Sequence, residues 1–506
     1  MKARTRRRAA RKPRVSGSLS QPGWKLLRYR HPPFELLSAE AIEDIHQAGL
    51  TILRDTGMLV LSADARHRFA AAGCEVDTDS RLVRFDSAML EETLASAPRS
   101  FRLRARNPAR DLVIGDGHGI FTSVGGPAYV MDLDRGRRNG SYDEMCDFIR
   151  LVQSLEILHQ EGGGGFEAMD LPAASRHLDL FYAECTLLDK NWVPWTLGRE
   201  QTLDAIEMVA ISLGSSHQEL LAEPALCGII NTNTPLQLDV PMAEGLIAMA
   251  EHGQAVAVTP FTLSGAMAPV TLAGALALQH AEAMAGIALT QIVRPGAPVL
   301  YGGFTSNVDM KTGSPAFGTP EYLQAAQASG QLARRLGVPL RSSNVNAANC
   351  PDAQAAYESC LSIWGAISGQ ASMIKHAAGW LHGGLTASLE KLVIDAEVLQ
   401  MVAASLEPFA VNPETLALEA IREVGPGGHF FGSAHTMERY QTAFYQPLLS
   451  DWSNYESWLE AGAVSTEQRA NRIWKQLLRD YQQPPIDASV DEALRDYVAR
   501  RKREIG

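Results

Sequence analysis

AVAVTPF at Ala255–Phe261, the alanine-rich run LAGALALQHAEAMAGIALTQIV at Leu272–Val293, and PVLYGGF at Pro298–Phe304 follow one another, separated by ten residues containing glycine and proline and then by RPGA. A short apolar run, a helix-length run and a second short apolar run are the pattern of a parallel βαβ unit, whose strands are buried on both faces. The same alternation extends in both directions. Strands are expected at Ile157–Glu161, Trp192–Thr196, Leu226–Thr232, Ala255–Phe261, Pro298–Phe304, Pro339–Asn344, Ser372–Ala377 and, shortest, Gly428–Phe431. Helices fill the intervals at Ala173–Leu188, Thr202–Leu213, Pro241–His252, Leu272–Val293, Pro320–Leu336, Asp352–Ser368 and Thr386–Leu406, with Gly253 and Gly337 placed as helix stops. Eight such strands predict an α/β fold, a (β/α)8 TIM barrel. An open doubly wound sheet is the alternative, although no GxGxxG follows an early strand.

Upstream, Ser38–Met58 has apolar positions at helical spacing, Cys74–Phe85 reads as a hairpin, Ser87–Ala95 as a helix, and Ala128–Leu133 with Asn139 as a ribbon around DRGRR. The expected organisation is a disordered basic arm at 1–20, an N-terminal α+β region at 21–141, and a barrel domain at 142–506 ending in a helical extension.

The first fourteen residues hold eight of the 46 Lys+Arg and no acid, leaving 38 basic residues against 57 acidic ones in the body. That excess of negative charge argues against a nucleic-acid surface on the folded part. No hydrophobic segment follows the basic arm as a secretory signal requires. Leu272–Val293 carries Gln279, His280 and Glu282, so it is read as a core helix and no membrane partner is expected. Six dispersed cysteines show neither CxxC spacing nor a disulfide framework, which points to a reduced, cytoplasmic setting. His376 with His382, and His429 with His435, lack a third ligand at metal-binding spacing, so no metal is assigned.

In a parallel barrel the chemistry lies at the carboxyl ends of the strands. Those positions hold Glu161, Trp195, Asn231, Phe261, Phe304, Asn344, Asn346, His376, Trp380, His429 and Phe430: many rings and amides, one carboxylate. Such a pocket suits a ligand bringing its own positive charge, since each ring face attracts a quaternary ammonium by roughly 0.5 to 2 kcal/mol. The loop VGPGGHFFGSAH at Val424–His435 has the glycines and proline of a rigid turn that presents side chains, and it also reads as a turn closing a helix.

VGPGGHFFGSAHT, YGGFTSNVDMKTGSPAFGTPEY from Tyr301 to Tyr322, and GGPAYVMDLDRG from Gly125 to Gly136 resemble the trimethylamine methyltransferase family, over a span from about Leu37 to Arg500. The resemblance implies a barrel that moves a methyl group from a methylated amine to the Co(I) of a cobalamin-type corrinoid on a separate protein, with no tightly bound cofactor of its own. Some family members carry pyrrolysine; this chain has only standard residues and resembles the branch without it, the vacated position expected in Asn344–Asp352. A quaternary, betaine-type amine fits that loss, because its methyl leaves behind a neutral tertiary amine without further activation. On this reading Trp195, Phe304, Trp380 and Phe430 form an aromatic box. Ser343, Asn344, Asn346 and Asn349 hold a carboxylate, while His376, His429 and Glu161 are the catalytic candidates. A same-fold enzyme using another methylated amine or acceptor, a metal-assisted hydrolase, and a betaine-binding protein without turnover remain as alternatives, and a homo-oligomer is an open possibility.

Overall fold

The computed structural model describes residues 19–506, so all but the last two residues of the expected basic arm lie outside the described residues. Among the described residues, eight parallel strands form the centre of a mixed α/β fold: β1 His118–Phe121, β2 Gln160–Glu161, β3 Asn191–Trp192, β4 Cys227–Ile230, β5 Ala255–Val258, β6 Val299–Gly302, β7 Leu340–Ser343 and β8 Met373–Lys375. β4, β5, β6, β7, β8 and β1 pair in that order in one sheet. β2 and β3 pair with each other, and a parallel bridge from Thr122 to Gln160 ties β2 to the end of β1. No ladder joins β3 to β4 among the described residues. Side chains cross there instead: Asn191 donates to the Ala225 carbonyl at 2.7 Å and Thr196 to that of Ile229 at 3.1 Å.

Seven of the expected strands form, shortened by a few residues, and β3 begins one residue earlier than expected. Gly428–Phe431 does not; it is an exposed turn, and His118–Phe121, from the region expected only to lead in, stands in its place. The reason is physical. Two glycines precede His429 and another follows Phe431, leaving three residues with no neighbouring strand to pair with, whereas Ile120 and Phe121 are fully buried between β8 and the Gln160 bridge.

A helix that was not expected, α1 Tyr142–Ser154, comes first; the seven expected helices follow close to their expected spans as α2 Arg176–Leu187, α3 Arg199–Leu213, α4 Val240–Glu251, α5 Leu272–Val293, α6 Pro320–Leu336, α7 Ala353–Ser368 and α8 Leu389–Ser405. Asp352 caps α7 and Thr319 caps α6, with Pro320 at its first position. Towards the C-terminus, α9 Thr466–Asp480 lies on α8, and α10 Ala488–Ile505 on α2 and α3. Asp204 anchors α10 by accepting from Tyr497 and Arg501, both at 2.7 Å.

α5 is apolar all round because it is covered all round. By length and composition it could cross a membrane, yet it is buried inside the protein. The helices Ala39–Thr51 and Ser87–Leu94 of the N-terminal region roof it on the outside. Its few polar residues are fully buried, and each has a structural task. Gln279 donates to the Tyr301 hydroxyl (3.1 Å) and to Ser329 (2.9 Å), and accepts from the Phe304 amide (3.1 Å) and Thr305 (2.7 Å). Its whole hydrogen-bonding capacity is thereby used to fix the chain leaving β6. Glu282 does the same after β4, accepting from Thr232, from Thr234 at 2.8 Å and from the Leu236 amide at 2.8 Å.

Gln279→Leu keeps the volume and leaves these buried partners unpaired at about 1–3 kcal/mol each. Urea unfolding should show a loss of about 3 kcal/mol or more; a loss under 1 kcal/mol would contradict the role given to Gln279.

Candidate active site

Beyond the carboxyl ends of β3, β6, β7 and β8 lies a cavity of about 420 Å³, open to solvent beside the exposed Leu197 and Asn231. One wall is aromatic. Trp195, Phe261, Phe304 and Trp380 line it, with Phe304 at 5.0 Å from Phe261 and 6.4 Å from Trp380 between ring centroids. Each ring is held from behind. The Trp380 indole donates to the Asn346 carbonyl at 3.0 Å, the Trp195 indole to that of Gly163 at 3.2 Å, and Gln279 grips the Phe304 backbone.

The cavity also has a feature that was not expected: two buried basic side chains. Arg341, on β7, lines the cavity with almost no exposure, and its Nε and Nη1 have no hydrogen-bond partner. Lys375, at the end of β8, donates to the Gly162 carbonyl at 2.6 Å. Burial pushes the Lys375 ammonium down to about 7, with the Arg341 charge adding to the effect and Glu161 opposing it. Arg341 is lowered to about 10 by the same desolvation. The signal that could have found them is a charged residue inside an otherwise apolar parallel strand, RSS in β7 and MIK in β8, where no solvent-facing side exists.

His376 follows Lys375 directly and takes a left-handed backbone conformation, φ +55°, unusual for a residue with a side chain. Its ring centroid lies 4.5 Å from that of Trp380, and Nδ1 lies 3.4 Å from the Ser343 hydroxyl. Burial, with Lys375 and Arg341 beside it, holds the imidazole far below its usual range, so it stays neutral. Glu161 is fully buried behind the cavity. Its carboxylate accepts from the amides of Gly163 (2.5 Å) and Gly164 (3.0 Å), which shapes the glycine loop that presents the Gly162 carbonyl to Lys375. Glu184, also fully buried, is raised well above the carboxylate range by burial and by the Glu161 charge.

Of the residues expected at the site, Trp195, Phe304, His376 and Trp380 meet in the cavity, and Ser343 stands directly behind His376. Asn344 and Asn346 do not line it; both are buried, donating to the Ala377 carbonyl at 2.9 Å and to Ser359 at 3.2 Å. Asn349 is exposed on the following loop. His429 and Phe430 are not part of the cavity either, because the segment that carries them never enters the parallel sheet. Among the described residues, no group of three or more His, Cys, Asp or Glu is placed to hold a metal ion.

The family model described as trimethylamine methyltransferase (MTTB) matches residues 4–506. The chain belongs to the trimethylamine methyltransferase family. Its relatives within that family divide by printed name. A glycine betaine methyltransferase of Desulfitobacterium hafniense is 34% identical over 94% of this chain and 98% of its own length. The trimethylamine methyltransferase MttB2 of Methanosarcina mazei is 27% identical over 92% of this chain and 95% of its own length. Among solved structures, the Methanosarcina barkeri monomethylamine methyltransferase MtmB is similar at a TM-score of 0.47 and 10% identity, covering 88% of this chain and 93% of the other.

For this family member, titration of labelled lysines by NMR should find Lys375 with a midpoint near pH 7. Glu161→Gln removes the negative charge that favours the ammonium and should move the midpoint lower. A Lys375 midpoint above 9 would contradict the burial described.

Proposed function

We propose that this enzyme takes a methyl group from a betaine, a quaternary ammonium that also carries a carboxylate, and delivers it to the Co(I) of a corrinoid on a separate protein. The observation that carries the reading is the buried Arg341, whose Nε and Nη1 have no hydrogen-bond partner, in a cavity that Trp195, Phe304 and Trp380 also line. Two buried cations repel a ligand that is only a cation. A zwitterion satisfies both ends: its carboxylate accepts from Arg341 and Lys375, and its methylated head lies on ring faces. The names of the relatives, one acting on glycine betaine and others on trimethylamine, fit the same division.

The corrinoid, when its carrier docks, supplies the nucleophile. The chain's own work is positioning. Arg341 and Lys375 fix the carboxylate, the rings hold the ammonium with one methyl directed to the open mouth, and the neutral His376 adds no charge that would oppose the head group. Loss of the methyl turns the ammonium into a tertiary amine whose nitrogen keeps the C–N electron pair, so no general acid is needed for bond cleavage.

We further infer that the eight parallel strands form a (β/α)8 barrel with β1 as its first strand. Ile120, Cys227, Ala255, Ala257, Leu300 and Met373 cluster apart from the main core, together with Leu103, Leu112 and Ile114 of the preceding hairpin, as side chains inside a ring of strands closed at one end by that hairpin would. A cytoplasmic location fits four buried free cysteines.

The test is turnover with Co(I) corrinoid across glycine betaine, proline betaine, carnitine, choline and trimethylamine, following loss of Co(I) absorbance and appearance of the demethylated amine. A betaine should turn over and trimethylamine should not; binding of a betaine with no turnover would instead indicate a binding protein. Arg341→Met should raise KM for the betaine by about 10- to 100-fold, the worth of a charged hydrogen bond. Trp380→Ala should weaken binding more than Trp380→Phe, and equal effects would remove Trp380 from the box. A bound carboxylate favours the Lys375 ammonium, so affinity should be full below pH 7 and fall as pH rises through it, and Lys375→Met should abolish that pH dependence.

A further inference from the structure

Between α8 and α9 the chain leaves the body of the protein as an arm in two lobes, residues 407–447 and 451–464, pinned between them where Leu448 and Leu449 are buried and their amides donate to Glu397 of α8; the first lobe carries the loop VGPGGHFFGSAH. From 407 to 447 the arm buries only Ser433, and its short helices pack on no other element to any extent. Yet it is not a polar arm. Thirteen large apolar side chains between Phe409 and Leu459 are exposed, among them Phe409 at 86%, Phe431 at 85% and Phe444 at 77%. At about 100 Å² each for half-exposed large side chains they present on the order of 1,300 Å² of apolar surface. A monomer ordinarily shows a largest patch of roughly 300–600 Å², and a stable interface needs roughly 800 Å² from each partner.

A second surface on the same chain is also unpartnered. The exposed face of α7 is Ala353, Gln354, Tyr357, Cys360, Leu361 and Trp364, without one charged residue. The neighbouring α6 exposes Glu321, Arg334 and Arg335, as an outer helix does. The α7 face continues past its last turn to the exposed Phe34, whose amide donates to the Ser368 carbonyl at 3.0 Å.

We propose that two copies of this chain pair by exchanging arms, residues 407–464 of each lying over the uncharged α7 face of the other. A two-fold axis satisfies both surfaces of both copies at once, the arm meeting the face and the face meeting the arm, with no third molecule required. A partner that binds and leaves in every catalytic cycle uses a smaller and more polar contact, so the arm is not its seat. The pairing does not rest on the reaction proposed above.

Sedimentation velocity from 0.1 to 10 μM should find a dimer, or a closed multiple of one, of the 54.9 kDa chain. A photo-crosslinker in place of Phe431, in a mixture of light and ¹⁵N-labelled copies, should join the arm of one isotope to the α7 peptide of the other. Trp364→Glu and Phe431→Asp should each yield monomers with unchanged circular dichroism, which separates lost pairing from lost folding. A monomer at every concentration, cross-links only within one copy, or cross-links formed only when corrinoid protein is added would overturn the proposal.

Discussion

Two positive charges, Arg341 and Lys375, are held out of water at the ends of adjacent parallel strands, and the one acceptor their side chains meet among the described residues is the Gly162 carbonyl. Burying an unpaired charge is among the costliest arrangements a protein contains. It persists only where the surrounding structure is stable enough to impose it and where a ligand returns the missing partner. Much of the architecture can be understood as the means of imposing it. The glycine loop after β2 can deliver its carbonyl because Glu161 gathers the loop's amides, and the loop needs glycine because Gly163, Gly164 and Gly165 all have positive φ. A side chain at Gly165 would strike the Phe148 ring at 2.4 Å.

The aromatic lining is positioned with the same economy, by hydrogen bonds from behind the rings. α5 reaches Phe304 through Gln279, the loop after β7 reaches Trp380 through the Asn346 carbonyl, and the glycine loop reaches Trp195 through Gly163. The N-terminal region contributes indirectly by covering α5, which lets that helix be apolar on every side and still place one amide where β6 ends. Arg341 itself lies 5.6 Å from the Phe304 ring, so the charged and aromatic halves of the cavity meet at that residue.

How far this was legible in the sequence follows from what each signal depends on. Helices and strands such as Leu272–Val293 and Ala255–Val258 were legible because burial on all sides leaves an uninterrupted local pattern. The rings at strand ends were legible because order along the chain places them there. His118–Phe121 was missed because a strand of four residues containing glycine has no pattern of its own; the backbones of β8 and of Leu27–Arg28, both distant in sequence, make it a strand. Gly428–Phe431 was mistaken for a strand because a presenting loop and a short strand look alike without their neighbours. Arg341 and Lys375 were passed over because their meaning lies in the absence of partners, which is a fact of three dimensions. Asn344 and Asn346 follow β7 closely enough in sequence to read as ligand groups, but they do not line the cavity; their amide nitrogens donate to the Ala377 carbonyl beyond β8 and to Ser359.

The central claim is that the cavity requires a negative end as well as a methylated cationic one. Calorimetric titration of the protein alone with glycine betaine and with tetramethylammonium, which share the ring-binding head but not the carboxylate, tests it without any corrinoid. The account predicts that glycine betaine binds at least tenfold more tightly and that Arg341→Met removes the difference. Equal affinity for the two ligands, or a preference for tetramethylammonium, would contradict it.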